Sequence, residues 1–270
     1  MLGPIAVGVI MEFSRALGSA AALAVLAAAA WVGPAEAAAP SKVNAAFPKG
    51  AYAELNALPD WGGVWVLARP QAGAAQPPRE RPVFKGEYLK RYEAWAQEVK
   101  DNNGVVRRET SNCMPPGMPN MLATAQYPIE FLFTPGRVTA HHEAWMQWRS
   151  IYTDGRGHPA DLEPGIFGHS IGRWEGNTLV VDTVGIKTIT ELGAGMKHSS
   201  KLRITERIAQ DAKDPDTLRI EVTMEDPEAL AQPYRLTHTF KRQRDWSLME
   251  FICAENDRNP VSDQGLTTFK

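Results

Sequence analysis

The feature that most constrains the fold is a series of short runs, beginning at Tyr127, in which apolar and polar residues alternate. Such alternation is typical of strands that bury one face, and intervening residues such as Thr134-Pro135-Gly136 and Glu175-Gly176-Asn177 are typical of hairpin turns. The expected strands cover residues 129–133, 137–143, 145–152, 169–174, 178–184, 201–210, 218–225, 234–242 and 247–253, with one more ending at Leu67. About nine or ten antiparallel strands predict a mainly β domain, either a barrel or a strongly curved sheet.

A single helix is expected before most of the strands, over residues 84–100. Tyr88, Tyr92 and Trp95 recur there at helical spacing, and we interpret this aromatic stripe as a face that packs on the domain rather than as a cofactor site. Gly63-Val64-Trp65, at the start of the first strand, resembles the opening of lipocalin-like barrels. The expected fold is therefore an antiparallel lipocalin-like barrel or curved sheet with one N-terminal helix.

The N-terminal segment has the composition of an export signal. A short region carrying Arg15 precedes an Ala/Leu/Val run and then Ala35-Glu36-Ala37, the small-residue pattern of a cleavage site. We expect residues 1–37 to be a signal peptide, with Met11 as an alternative start, residues 38–59 a tether and residues 60–270 a single β-barrel-like domain. The alternative is an uncleaved anchor, but the run is short and alanine-rich for a stable span, which needs about 20 clearly apolar residues. The expected location is periplasmic or secreted, without stable membrane insertion after cleavage.

Charge and cysteine content indicate which partners and which covalent bonds to expect. The chain has a formal net charge of -2 and no block of Lys or Arg, which argues against nucleic-acid binding. Its two cysteines, Cys113 and Cys253, are expected to form a disulfide in an oxidising compartment. The alternative is two separate cysteines, one of them a nucleophile activated by a histidine that folding brings close.

Several strands carry a titratable residue on an otherwise apolar face. Alternation assigns Glu206, His238, His142 and, less clearly, Asp182 to such faces. Burying these groups without partners costs several kcal/mol, so they need partners or shifted pKa values. If the sheet closes, Glu206 and His238 could act as an acid–base pair inside the barrel. The alternative is a structural network whose members satisfy one another.

The loop that follows residue 152 holds the first part of the predicted site. Tyr152, Arg156 and His158 lie where a strand passes into a loop, and binding residues are often found in loops on a rigid sheet. We therefore expect these three side chains, together with His142, to contact a substrate. The structural alternative is that Asp154 pairs with Arg156 across a turn and that His158 caps it.

The strand after this loop holds the second part. His169 and Arg173 share a strand face, and together they could bind a carboxylate, a phenolate or a developing oxyanion, with Trp174 beside the substrate. The structural alternative is that Arg173 stacks on Trp174 and pairs with Glu175. The sequence therefore predicts catalytic roles for His169, Arg173, Asp182, Glu206 and His238.

Histidine spacing does not signal a metal site. His141 and His142 are adjacent, so on a strand they point to opposite faces and cannot bind one ion. His158, Asp161 and His169 could converge on an ion, but no H-x-H, H-E-x-x-H or C-x-x-C spacing occurs. The glycine patterns of dinucleotide and phosphate loops are also missing. We expect no cofactor and no metal.

The motifs of the chain resemble those of a family of exported bacterial β-rich proteins that has no established activity. They are CMPPGMP at 113–119, EF and TPG at 130–136, IYTDGRGHP at 151–159, GHSIGRWEG at 168–176 leading into TLVVDT at 178–183, and CAEN at 253–256. The resemblance covers nearly all of the expected mature chain and implies that Cys113, His158, His169, Arg173 and Cys253 belong to a family pattern. It transfers no catalytic residue. Asn177 stands where the pattern has Asp, which is compatible with a hairpin turn.

Two functional hypotheses follow. The first is an exported enzyme that acts on a small hydrophobic or aromatic molecule through His, Glu and Asp acid–base chemistry with an arginine, as a lyase, isomerase or hydrolase. Retro-aldol cleavage of lignin-like aromatics would suit these groups. The second is a periplasmic carrier whose interior binds a small hydrophobic ligand, and a third hypothesis is an interaction module without a pocket. An enzyme should bring at least two titratable groups within hydrogen-bond reach beside an accessible pocket.

Overall fold

The computed structural model describes residues 50–68, 80–105, 107–108, 113–124, 127–253 and 267–268. The predicted signal peptide and the tether up to residue 49 lie outside these residues. The described end of the predicted tether contains a 3-10 helix, Tyr52–Ala57. No helix in the described ranges is both long and apolar enough to cross a bilayer.

Strands form most of the described chain. They are β1 (Val64–Leu67), β2 (Arg107–Arg108), β3 (Ile129–Thr134), β4 (Arg137–His142), β5 (Gln147–Tyr152), β6 (His169–Glu175), β7 (Thr178–Val184), β8 (Arg203–Gln210), β9 (Thr217–Glu225), β10 (Tyr234–Gln243) and β11 (Thr267–Thr268). The helical elements are α1 (Gly86–Asp101) and the 3-10 turns Tyr52–Ala57, Asn120–Ala123 and Ala144–Met146. The predicted helix and the predicted hairpins at Gly136 and Gly176 are confirmed.

Nine of the strands close into a lipocalin-like barrel in the order β1-β10-β9-β8-β7-β6-β5-β4-β3, while β2 and β11 form a separate two-stranded sheet. The prediction of a mainly β barrel is thus confirmed, but the expectation that all pairs are antiparallel is wrong. β5 and β6 run parallel, with Ile151 opposite Ser170 and Tyr152 opposite Ile171. A tight turn cannot join parallel neighbours, so the chain leaves the sheet over residues 153–168 before it re-enters.

The predicted strand over residues 247–253 is absent. Because β10 already pairs with β1, the closed barrel leaves no strand edge for this segment. It is instead an extended strap, fixed where the Met249 N–H donates to Glu143 Oε2 at 2.8 Å and where Phe251 packs on Tyr127 and Trp145. The strap ends at the predicted disulfide between Cys113 and Cys253, which is confirmed.

The core fills the barrel interior. Inward residues alternate along each strand, as in the buried set Ile204, Glu206 and Ile208 on β8. At one end, the Trp61 ring contacts Phe133 and Trp174, and so closes the barrel. Outside the barrel, the predicted aromatic stripe of α1 packs on the domain as expected: Tyr88 and Tyr92 contact the core, and Trp95 lies so close to Gly195 that a Cβ there would fall 2.1 Å from its ring.

Candidate functional site

The barrel divides the predicted site residues between its two faces. Because Val181 on β7 lies opposite buried Glu206 on β8, the neighbouring Asp182 points outward. The assignment of Asp182 to the interior is therefore wrong. His169 and Arg173 also point outward, since the alternate residues of β6, Ser170 and Gly172, pair with the inward Thr183 and Val181 of β7. By the same alternation, the predicted residues that point into the barrel are His142, Trp174, Glu206 and His238.

The excursion over residues 153–168 brings part of the predicted site together on the outer face. Its first residue, Thr153, donates its N–H to Gly136 O at 2.8 Å, and its far end is fixed where the Gly165 N–H donates to Gly185 O at 2.9 Å. Gly168, at φ +66, completes the return; a Cβ there would lie 2.5 Å from Val184 O, so only glycine fits. These anchors hold the loop against β5, β6 and β7.

Three side chains on this face form a series that we call the histidine relay: Asp182, His158 and His169. His158 Nε2 lies 3.2 Å from Asp182 Oδ2, and His158 Nδ1 lies 2.9 Å from His169 Nδ1. Asp182 is held in turn by Arg203, whose Nε donates to Oδ1 at 2.7 Å. Of the two structural alternatives for the loop, the cap by His158 is not formed, because both of its ring nitrogens serve the relay.

The hydrogen-bond partners fix the protons of the relay. A carboxylate accepts only, so His158 must donate from Nε2 to Asp182. With both rings neutral, His158 Nδ1 is then an acceptor and receives the Nδ1–H of His169. His169 therefore presents an unprotonated Nε2 at the open end of the series.

Electrostatics favour the ionised form of Asp182 and the neutral form of His169. Burial raises the pKa of Asp182, but hydrogen bonds from Arg203 and His158 outweigh burial, so the pKa lies below its ordinary value. Burial lowers the pKa of His169, and the neighbouring His158 and Arg156 lower it further. At neutral pH the relay therefore joins an ionised carboxylate to a neutral, half-buried imidazole.

An aromatic ring and a guanidinium adjoin the open end of the relay. The Tyr152 ring stacks against His169 with 5.5 Å between centroids, and Arg156 Cζ lies 4.0 Å from the Tyr152 centroid. The Asp154–Arg156 pair of the structural alternative is also present, since Arg156 Nη2 donates to Asp154 Oδ2 at 2.7 Å. That pair orients Arg156 over Tyr152, so the structural pairing and a role in binding are compatible.

Arg173 and Trp174 do not join this cluster. Arg173 is exposed and donates to Glu175 Oε1 at 2.8 Å, as the structural alternative for this strand expected. Trp174 points to the opposite face and packs on Trp61 and Phe133 rather than on Arg173.

Glu206 has a partner, Arg149, that the alternation of the strands does not predict. Arg149, 3% exposed, donates from Nη1 to Glu206 Oε1 at 2.9 Å and forms a second bond to Oε2 through Nη2. The same guanidinium contacts Ser170 and Thr183, which completes a buried polar network. The carboxylate of Glu206 is bound by Arg149 rather than by the expected His238, which lies two strands away in the register row of Ile220 instead of that of Val222.

The same network excludes a serine nucleophile at residue 170. Gly168-His169-Ser170-Ile171-Gly172 matches the G-x-S-x-G pattern of hydrolases, in which the serine stands on an exposed strand-to-helix turn. Ser170 lies instead within β6, is 2% exposed and faces the barrel interior. Its hydroxyl is enclosed by Arg149 and Thr183.

His142 is sealed inside the barrel. It is 1% exposed, and within the described residues neither ring nitrogen has a hydrogen-bond partner. Burial, together with Arg149 and His141, lowers its pKa to about 3, so the ring is neutral. Its predicted contact with a substrate would require access to the interior, and the outward relay does not reach it.

A second acid–base pair lies on the outer face of β3 and β4. Glu130 Oε1 is 2.8 Å from His141 Nδ1, and the His141 ring stacks on Trp148 with 3.6 Å between centroids. These two residues and the strap line a pocket of about 590 Å³. His141 Nε2, however, is sealed from solvent and has no partner in the described part of the chain, so it is closed to a ligand in this conformation.

Comparisons with known proteins add no identity to this geometry: no protein-family model matches the chain, and no curated protein is significantly similar to it. The resemblance of the motifs therefore stays a prediction. Within the described ranges, no group of three or more His, Cys, Asp or Glu side chains is arranged to bind a metal ion.

Proposed function

We propose that this protein is an exported enzyme that transfers protons through the histidine relay, with His169 Nε2 as the base that faces a small aromatic or hydrophobic substrate. The observation that carries the proposal is the series of two hydrogen bonds, 3.2 Å and 2.9 Å long, that joins a carboxylate to two imidazoles beside Tyr152 and Arg156. A carboxylate that orients a histidine fixes its tautomer and stabilises the imidazolium that forms when a proton is taken up.

The relay would support reactions that begin with removal of a proton from a hydroxyl or from an acidic carbon. His169 accepts the proton at Nε2, its Nδ1 proton can pass to His158, and Asp182 stabilises the positive charge that develops. Arg156, which is paired with Asp154, lies next to Tyr152 and would donate a hydrogen bond to an anion formed on the substrate. Lyase, isomerase and hydrolase chemistry all fit this sequence of events, and retro-aldol cleavage is one member of the class.

The carrier hypothesis has less support. A lipocalin-type carrier needs an open interior, whereas large side chains such as Trp65 and Phe240 pack this barrel around the ion pair of Arg149 and Glu206. Export to the periplasm or beyond is proposed from residues 1–37, and the disulfide between Cys113 and Cys253 is compatible with it.

The relay can be tested with three substitutions that preserve side-chain size: His169→Gln, His158→Gln and Asp182→Asn. The matched control is Arg173→Gln, an exposed residue of the same strand as His169. Turnover of a panel of small aromatic alcohols and acids would be followed by mass spectrometry, and each variant would also be melted. We expect losses of about 100-fold or more in the relay variants, unchanged turnover in the control, and melting temperatures close to the parent.

A second measurement needs no substrate. Nitrogen-15 spectra of the histidine rings should show His169 protonated on Nδ1 and His158 on Nε2, and Asp182→Asn should disturb both. Undiminished turnover in the relay variants, or the opposite tautomers in the parent, would exclude the proposal. Unfolding of all three variants would show that the relay is structural.

A further inference from the structure

A pocket of about 410 Å³ lies at the end of the barrel, where the β3–β4 hairpin meets the 3-10 helix Tyr52–Ala57. Pockets of this size typically hold one small organic molecule. Its apolar walls are Leu55, Leu58, Val138 and Trp174, and its charged lining includes Arg137. The pocket therefore combines apolar walls with a cation.

The guanidinium of Arg137 has no acceptor within the described residues. Its Nε is sealed from solvent and unpartnered, although the side chain is only half-buried and reaches the pocket. Half-buried arginines usually bind a carboxylate or a carbonyl oxygen, because desolvating unpaired N–H groups is costly. The two Nη groups at the outer edge of the guanidinium form the fork that grips a carboxylate.

Neither of the two carboxylates near the pocket neutralises the positive charge of Arg137. Asp154 lines the pocket, but it binds Arg156, with 2.9 Å between Arg156 Nε and Asp154 Oδ1. Glu54 lies on the exposed rim, where solvent screens its charge. An anion bound at Arg137 would therefore pair with a guanidinium that no neighbouring carboxylate already neutralises.

We propose that this pocket binds the carboxylate end of a compact apolar acid, such as a single aromatic ring with a short side chain. Arg137 binds the carboxylate, and Trp174 with the two leucines packs on the apolar body. An acid of this class is then the substrate of the histidine relay, a step that rests on the proposed function. Arg137 lies directly opposite Tyr152 across β4 and β5, and Asp154 belongs to both the pocket and the cluster around Tyr152.

The binding test uses benzoate, cinnamate and hexanoate as probes, with benzamide as the neutral analogue and inorganic phosphate as a bare anion. Titration calorimetry and the fluorescence of Trp174, read against a Trp174→Phe variant, would report binding to the whole protein. We expect Arg137→Gln to weaken the best acid about ten-fold or more, Arg137→Lys to weaken it less, and the exposed control Arg173→Gln to leave it unchanged. Since Arg137 has no described partner to lose, the variants should keep the parent's melting temperature.

Three results would overturn the inference: no probe acid binds at millimolar concentration, benzamide binds as tightly as benzoate, or phosphate binds as tightly as the acids. If Arg137→Gln unfolds, Arg137→Lys decides alone, since equal binding by that folded variant would refute recognition by the guanidinium fork. The two proposals can fail separately. Acid binding that depends on Arg137 but survives in His169→Gln, with no turnover in the parent, refutes only the relay. Turnover that depends on His169 but not on Arg137 refutes only the acid pocket.

Discussion

His142 should make the protein sensitive to acid in a way that one substitution removes. The ring is 1% exposed, and its pKa is lowered to about 3 from an ordinary value of 6.5. Below pH 6.5 the unfolded chain binds a proton at this residue while the folded chain does not. The contribution of His142 to stability is therefore fully present above pH 6.5 and declines as the pH falls towards 3.

The magnitude follows from the width of this window. At pH 4.5, two pH units below the ordinary pKa of 6.5, protonation of His142 stabilises the unfolded chain by about 2.7 kcal/mol, because each unit is worth about 1.4 kcal/mol. In His142→Leu, which cannot titrate, this loss of stability disappears. Between pH 7.5 and 4.5 the free energy of unfolding of the parent should therefore fall by about 2.7 kcal/mol more than that of the variant.

Urea unfolding at the two pH values measures both quantities. His169 and His198 also have lowered pKa values, and burial is the largest cause for each, but they titrate alike in the two proteins and cancel in the comparison. Equal pH dependence in parent and variant would refute the assignment of a neutral, sealed ring. So would a carbon-13 or proton titration curve that places the pKa of His142 near 6.5.

Two further predictions concern the buried ion pair and the disulfide. Glu206→Leu leaves the Arg149 charge buried without its carboxylate and should destabilise the protein by about 3–5 kcal/mol in urea unfolding. Adding Arg149→Met removes the unpaired charge and should restore most of that loss. Equal stability of the single and double variants would contradict this. Cys253→Ser opens a loop between cysteines 140 residues apart and should cost about 4–5 kcal/mol. Dithiothreitol should bring the parent to the stability of the variant and leave the variant unchanged, and a reduced parent that stays as stable as the oxidised one would count against the prediction.

The sequence predicted the strands well because alternation and turn residues are local signals. Hairpins such as β6–β7 need only a period of two and a turn at Gly176. The strap over residues 247–253 was mistaken for a strand because its composition suits one, and only the closed barrel shows that no edge remains for it to pair with. The parallel pairing of β5 with β6 is likewise a property of the whole sheet.

The site was harder to predict because its assembly depends on which face of each strand is inside. β7 is buried on both faces, since Leu179 and Val181 are inaccessible and the outward Val180 is only 4% exposed. Alternation therefore could not place Asp182. Alternation does place Arg149 on the same strand face as buried Ile151, which indicates a buried arginine that needs a partner. That partner, Glu206, lies 57 residues away, so the sequence alone does not identify it. The members of the relay were identified from the sequence, whereas their grouping required the fold.

The odd number of strands in the barrel has a consequence for the loop that carries His158. Strands that alternate up and down around a ring can all be antiparallel only if their number is even. With nine, one neighbouring pair must run in the same direction, and here the mismatch falls between β5 and β6. Between β5 and β6 the chain must therefore return to the end of the barrel at which β5 begins, and residues 153–168 make this connection outside the sheet. A barrel with one strand more or fewer could join these strands by a two-residue hairpin, and it would have no segment on which to place Arg156 or His158.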